Sequence, residues 1–125
     1  MANDFIPDDV RDFIVDHLGS VAQLEALLLL RRHGEESWTP ATLAERLYVG
    51  EAVAAEVLTV LAAAKLCSKS GQVYRYTEGD AVRQDLMERL ADCYAHYLIP
   101  VTNLIHGKPA RIQKFADAFR FRKDN

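Results

Sequence analysis

The sequence predicts a mainly α-helical domain with one small β-hairpin set into it. Apolar residues recur at spacings of three and four through most of the 125 residues, the mark of amphipathic helices. Two short helical segments meet at Val49-Gly50, and the stretch from Leu66 to Thr77 reads as two strands about a tight turn at Ser70-Gly71.

Length and composition set the frame. A chain of 125 residues, half of them hydrophobic and about a quarter charged, suits one globular domain with a real core. Its longest purely apolar run, Ala26 to Leu30, is far too short to cross a bilayer, so no membrane association is expected. The N-terminus, M-A-N-D-F-I-P-D-D, has no basic segment ahead of an apolar one. No signal peptide is therefore expected, and the default compartment is the cytoplasm. Cys67 and Cys93 have no metal-ligand spacing and read as two reduced, packed thiols.

The first helix runs from Asp8 to about Leu18. Asp8, Asp9 and Asp12 favour its positive end, Val10, Phe13, Ile14 and Leu18 share one face, and Gly19 stops it. Ser20 caps the second helix, with Gln23 at the capping-box position. Leu24 and Leu27 to Leu30 leave that helix little polar surface, so it belongs in the centre of the core. Arg31, Arg32 and His33 suit its negative end, and Gly34 closes it. Residues 35–38 form a connector with room for one brief strand.

Thr39-Pro40 starts the third helix, a capping residue followed by proline at the first helical position. It carries Leu43, Ala44 and Leu47 inward over residues 40–48. The fourth helix, residues 50–64, is expected to turn Val53, Val57, Val60, Leu61 and Ala64 inward. Glu51, Ala52, Ala55, Thr59 and Ala62 then face outward, with Glu56 on the flank. In the hairpin, Tyr74 and Tyr76 face the core, and Val73 and Arg75 face out. The last third is helical again. Leu86, Leu90, Cys93, Tyr97, Val101 and Leu104 form a seam close to a coiled-coil repeat, and Pro100 should kink or split that helix. Gly107-Lys108-Pro109 is a break. A final helix from about Ala110 to Phe121 has Ile112, Phe115, Ala116 and Phe119 on one face.

The segments T-P-A-T-L-A-E-R-L, V-x-x-x-V-L-x-x-L-x-x-A-K-L and V-Y-R-Y-T-E-G, in that order over residues 39–79, resemble the winged helix-turn-helix superfamily, and within it MarR-like transcriptional regulators. The resemblance covers about a third of the chain. It implies a winged helix-turn-helix over residues 1–79, joined within one compact domain to a C-terminal helical dimerisation or interaction region over 80–125. It also implies a homodimer that binds double-stranded DNA, with its second motif helix in the major groove and its wing on the minor groove or backbone. By position, DNA contacts then fall to Thr39, Thr42, Glu51, Ala52, Ala55, Glu56, Thr59, Lys69, Ser70, Gln72 and Arg75.

The reading chemistry at those positions is thin. From Gly50 to Ala64 there is no Lys, Arg, Asn, Gln or Ser, the side chains that usually address base edges. Residues 108–125 hold six basic residues against two acidic ones, net +4, while the rest of the chain carries −7. The basic charge that DNA-binding domains place near phosphates thus lies at the far end. An interaction module that docks a protein partner is the alternative, since this fold serves both uses. Phe115, Phe119, Arg120, Phe121, Arg122 and Lys123 form a basic, Phe-rich element suited to a partner or a second subunit. Tyr94, His96, Tyr97 and Trp38 leave room for a third option, a small-ligand pocket. The four histidines are scattered, and there is no metal cluster, phosphate loop or nucleophile motif. Neither a cofactor nor catalysis is expected.

Overall fold

The computed structural model describes residues 6–107, a mainly helical chain with a small three-stranded antiparallel sheet. Nine elements follow in order: α1 (Asp8–His17), α2 (Val21–Arg32), β1 (Ser37–Trp38), α3 (Pro40–Leu47), α4 (Glu51–Ala63), β2 (Cys67–Ser70), β3 (Val73–Tyr76), α5 (Ala81–His96) and α6 (Leu98–His106). The final helix expected from about Ala110 to Phe121 lies outside the described residues.

Local chemistry sets the helix boundaries. Asp8 and Asp9 occupy the first turn of α1, where carboxylates meet the positive helix end. At α2 the Ser20 hydroxyl accepts from the Gln23 amide at 3.2 Å. Gln23 does not complete a capping box, however. Its Oε1 accepts from the amide of Gly19 at 2.6 Å, one residue further back than the motif requires. Thr39 and Thr42 do form a full box: the Thr39 hydroxyl accepts from the Thr42 amide, and Thr42 Oγ1 accepts from the Thr39 amide. Asp80 caps α5 by accepting from the Arg83 amide at 2.9 Å.

Both helices that meet at the tight turn end on a non-glycine residue in the left-handed region. Tyr48 follows α3 at φ 58°, and Lys65 follows α4 at φ 63°. After each, the next amide reaches back five residues, Val49 to Ala44 at 3.1 Å and Leu66 to Leu61 at 2.9 Å. This is the Schellman pattern, which satisfies orphan carbonyls and seats an apolar residue against the helix it leaves. The break expected at Val49-Gly50 therefore begins at Tyr48, and Gly50 serves as the N-cap of α4 with an ordinary φ of −70°.

The hairpin is shifted by one residue from expectation. Ser70 pairs with Val73, so Gly71 and Gln72, not Ser70 and Gly71, form the turn. Gly71 takes φ 65° at its first position, as a type II′ turn requires. Strand β3 lies in the middle of the sheet, in the order β1-β3-β2. Trp38 pairs with Tyr74 across β1 and β3, and Ser37 pairs with Arg75.

One core cluster draws on all six described helices and the sheet. Leu24, Ala26, Leu27 and Leu30 of α2 are buried, and Leu28 and Leu29 are half-buried on its other side. Pro100 splits the last long helix. Its ring would meet the carbonyl of His96 four residues back, and α5 ends at His96 with Tyr97 between the two helices. The expected seam is buried within this one chain, against α1. Leu90, Cys93 and Val101 are inside, Leu86 and Leu104 are half-buried, and Tyr97 is turned outward at the break. A second subunit is not needed to cover it, so the seam no longer argues for a dimer.

Arg89 fastens α1 to α5. It donates to both carboxylate oxygens of Asp9, at 2.8 and 2.6 Å, and to Asp85 at 2.9 Å. Those hydrogen bonds from Arg89 hold the Asp9 carboxyl below its ordinary value of 3.8. A carboxyl lowered by folding stabilises the fold fully above its unfolded value, and that contribution disappears as pH falls through the folded one. Asp9→Asn is therefore expected to lower the melting temperature at pH 6, with the gap from the wild type closing as pH drops below 3.8. A gap that stays constant down to pH 2 would show that the clasp does not act through charge.

No single described helix is long and apolar enough to cross a membrane. Only α1 and α2 together reach that composition, and they are bent by 112° at their junction. Their apolar faces share one core cluster.

Candidate nucleic-acid and protein interface

The candidate surface is built from the exposed face of α4, the turn before it and the hairpin after it. Helix α4 is rotated relative to the sequence expectation. Ala54, Val57, Leu58 and Leu61 point inward, whereas Val53 is 46% exposed and Val60 and Ala64 are only half-buried. A valine-based pattern fits two registers of this Ala- and Val-rich helix equally well. The larger Leu58 selects the observed one by filling the core. The outward stripe is consequently Ala52, Glu56, Thr59 and Ala63, with Glu51 at the start and Ala55 and Ala62 half-buried at the edge. Glu56, expected on the flank, sits at the centre of the face.

Several predicted contact residues are already engaged. Thr39 and Thr42 spend their hydroxyls on the cap of α3. The Thr59 hydroxyl donates back to the Ala55 carbonyl at 2.9 Å. What remains on α4 is two glutamates among small apolar groups. Carboxylates can accept from cytosine N4 and alanines can touch a thymine methyl, but no donor faces outward.

The two hairpin cations are separated by the sheet. Lys69 pairs with Tyr74 and shares its face, with Nζ 5.7 Å from that ring. Arg75 pairs with Ser68 and with Ser37 on the opposite face, because successive strand residues alternate. One guanidinium nitrogen of Arg75 donates to the Glu35 carbonyl at 2.8 Å. Lys69 and Arg75 therefore do not form the single cationic grip that their spacing suggests. Ser70 and Gln72 are exposed at the hairpin tip.

Tyr48 is the residue that sequence reasoning missed. Its side chain is 94% exposed beside Val49-Gly50, in a backbone conformation that glycine adopts freely and a bulky residue does not. Nothing in the sequence signals this, since Gly50 two residues later looks like the turn residue. Tyr48→Gly is expected to raise unfolding stability by about 1 kcal/mol, because left-handed backbone strain of about 1–2 kcal/mol is relieved and little packing is lost. Urea denaturation checks this, and a loss of stability would mean that the tyrosine ring makes contacts outweighing the strain.

The four aromatic groups considered for a ligand pocket do not converge. Trp38 is buried beneath Arg46, whose guanidinium lies 5.2 Å from the ring centroid. His96 Nδ1 lies 2.9 Å from the Asp92 carbonyl. Tyr94 lines a cleft of about 210 Å³, with Leu28, Leu29 and Leu47 at its apolar wall and Arg32 and Arg46 at its edge, and Trp38 lines a separate one of about 330 Å³ with Glu36, Thr42 and Glu45. The Tyr94 hydroxyl donates to Glu25 at 2.9 Å, joining α5 to α2. Burial, and then that carboxylate partner, push its phenol up to about 12. Folding therefore favours the neutral phenol, and this contribution is present below pH 10 and lost as pH rises towards 12. Tyr94→Phe should show a shallower decline in melting temperature across that window than the wild type. An identical decline would show that Tyr94 is not the group titrating there.

The thiols are shielded. Cys67 is buried with its Sγ 3.9 Å from the Leu58 carbonyl, and desolvation raises it to about 11. Cys93 is also buried and raised, first by desolvation. The C-terminal candidates Phe115, Phe119, Arg120, Phe121, Arg122 and Lys123 lie outside the described residues. No family model, curated protein or solved structure matches this chain.

Proposed function

We propose that this chain is a DNA-binding transcriptional regulator of winged-helix type, holding duplex through shape and phosphate contacts rather than by reading bases. The element order carries the proposal: helix, short strand, two helices meeting at a tight turn, then a hairpin, with β1 pairing onto β3. That is the order of a winged helix-turn-helix, with α4 in the position of the groove helix and the hairpin as the wing. The absence of outward donors on α4 makes base selectivity weak, and the wing supplies the attraction from its two faces, Lys69 on one and Arg75 on the other, with Ser70 and Gln72 at its tip. The protein works as a homodimer. Leu98 and Ile99, 49% and 64% exposed at the α5–α6 break, provide apolar contact in place of the internal seam.

The alternative is a winged helix that docks a protein. It is favoured by one feature, the exposed apolar Tyr48 and Val53 around a face centred on Glu56. Groups of that kind repel phosphate and suit a basic, apolar ligand.

A salt titration separates the two. Binding to labelled duplexes of unrelated sequence should weaken steeply with salt. Lys69→Ala with Arg75→Ala should weaken all sequences alike and flatten the salt slope by about 2, about one per cation lost. Glu51→Gln with Glu56→Gln should strengthen binding by relieving repulsion. No detectable binding at low salt would discard the DNA proposal in favour of protein docking.

A further inference from the structure

We infer that the cleft bordered by α2, α3 and α5 binds a small aliphatic monocarboxylate, with Arg32 as the anchor for its charge. No residue of α4 or the hairpin lines that cleft, so the site stands apart from either reading of the α4 face.

Helix α2 is apolar on two sides. One side enters the core through Leu24, Ala26, Leu27 and Leu30. The other carries Glu25, Leu28, Leu29 and Arg32, at spacings of three, one and three residues. Residues three and four apart share a helix face, so these four form one stripe. Leu28 and Leu29 are only half-buried. Leu47 of α3 and Tyr94 of α5 border the stripe without closing over it, and about 210 Å³ stays open between them. Sites for drug-sized ligands hold about 300–1,000 Å³, so the occupant is a smaller molecule.

The charged groups around the cleft differ in what they already do. Glu25 accepts from the Tyr94 hydroxyl at 2.9 Å. Arg46 lies 3.6 Å from Glu36, with its guanidinium 5.2 Å from the Trp38 ring. Arg32 is exposed and makes no hydrogen bond or ion pair among the described residues. One unmatched guanidinium calls for one negative charge. Its planar fork suits a carboxylate, which can take two parallel hydrogen bonds from it. The side chains of Leu28, Leu29 and Leu47 suit an alkyl body beside that charge.

Arg32 also sits in the last turn of α2, where any cation favours the negative helix end. Lysine would serve that purpose equally well, and the apolar stripe would have no part in it. Ligand binding requires both the fork and the stripe, and this difference can be measured.

The test uses the full chain and hexanoate as the probe. Hexanoate should shift the amide NMR signals of residues 25–32, 46–47 and 94 to saturation. It should also raise the melting temperature, because a ligand that binds only the folded state stabilises it. Affinity should rise about two- to fourfold per methylene from butanoate to hexanoate. Acetate, hexanol and hexylammonium at the same concentrations should leave those signals in place. Arg32→Gln should weaken hexanoate binding by about tenfold or more, and urea denaturation checks that this exposed change leaves the fold intact. Arg32→Lys should recover only part of the affinity, because a point charge cannot make the paired bonds. Lys69→Ala with Arg75→Ala should leave hexanoate binding as it is. An equal response to acetate would reduce the cleft to a surface charge, and an equal response to hexanol would reduce it to an apolar crevice; either overturns the inference. Shifts centred outside the cleft would also overturn it, as would full hexanoate affinity in Arg32→Gln. Hexanoate binding by a protein that holds no duplex at low salt would remove the DNA proposal and leave this site standing.

Discussion

Trp38 is where the sheet and the helices are joined. Its backbone pairs with Tyr74 in β3, and its ring, 1% exposed, lies in the core under the guanidinium of Arg46. The next residue, Thr39, caps α3. One position therefore anchors the hairpin to the helical body, sets the start of α3 and braces its end. Glu36 strengthens the brace, with Arg46 at 3.6 Å. The indole Nε1 is buried with no hydrogen-bond partner, a polar group left unsatisfied inside. The large ring nonetheless sits in the core, where it ties the sheet to the helices.

The orientation of α4 follows from this anchoring and from the helix ends. Left-handed Tyr48 and Lys65 bracket the helix, and each returns an amide to the preceding turn. Val49 and Leu66 are thereby drawn towards the core, and the residues between them have little freedom to roll. Leu58 and Ala54 occupy the inner positions, leaving glutamate and alanine to the outside. The chemistry of the exposed face is thus a by-product of which residues the core needs.

Much of the architecture was legible in the sequence. The Thr39-Pro40 start, the Ser20 cap, the brief strand near Trp38 and the split at Pro100 all rest on local rules, and local rules survive folding. The errors came where two registers were locally equivalent. Helix α4 has apolar residues nearly all round, so periodicity could not choose between Val53 and Ala54 for the core. Either Ser70-Gly71 or Gly71-Gln72 satisfies a two-residue turn, and the pairing of Cys67 with Tyr76 decided it. The seam of α5 and α6 was visible, but not that α1 would lie against it. That contact joins segments far apart in sequence, and no local pattern encodes it. For the candidate surface, the residue types were legible and their sidedness was not. Lys69 and Arg75 fell on opposite faces because register, not composition, assigns them.

The Arg89–Asp9 clasp has a consequence for how the molecule is made. Its partners are eighty residues apart, roughly 4–16 s of synthesis at about 5–20 residues per second. Until α5 and α6 emerge from the ribosome, Val10, Phe13 and Ile14 of α1 lack much of the surface that will bury them. The nascent chain therefore carries an unfinished apolar helix through the synthesis of those eighty residues, and the clasp closes only when α1 and α5 meet. Folding of this domain is in that sense a late event, with α1 synthesised before the other described helices and seated only after α5 and α6.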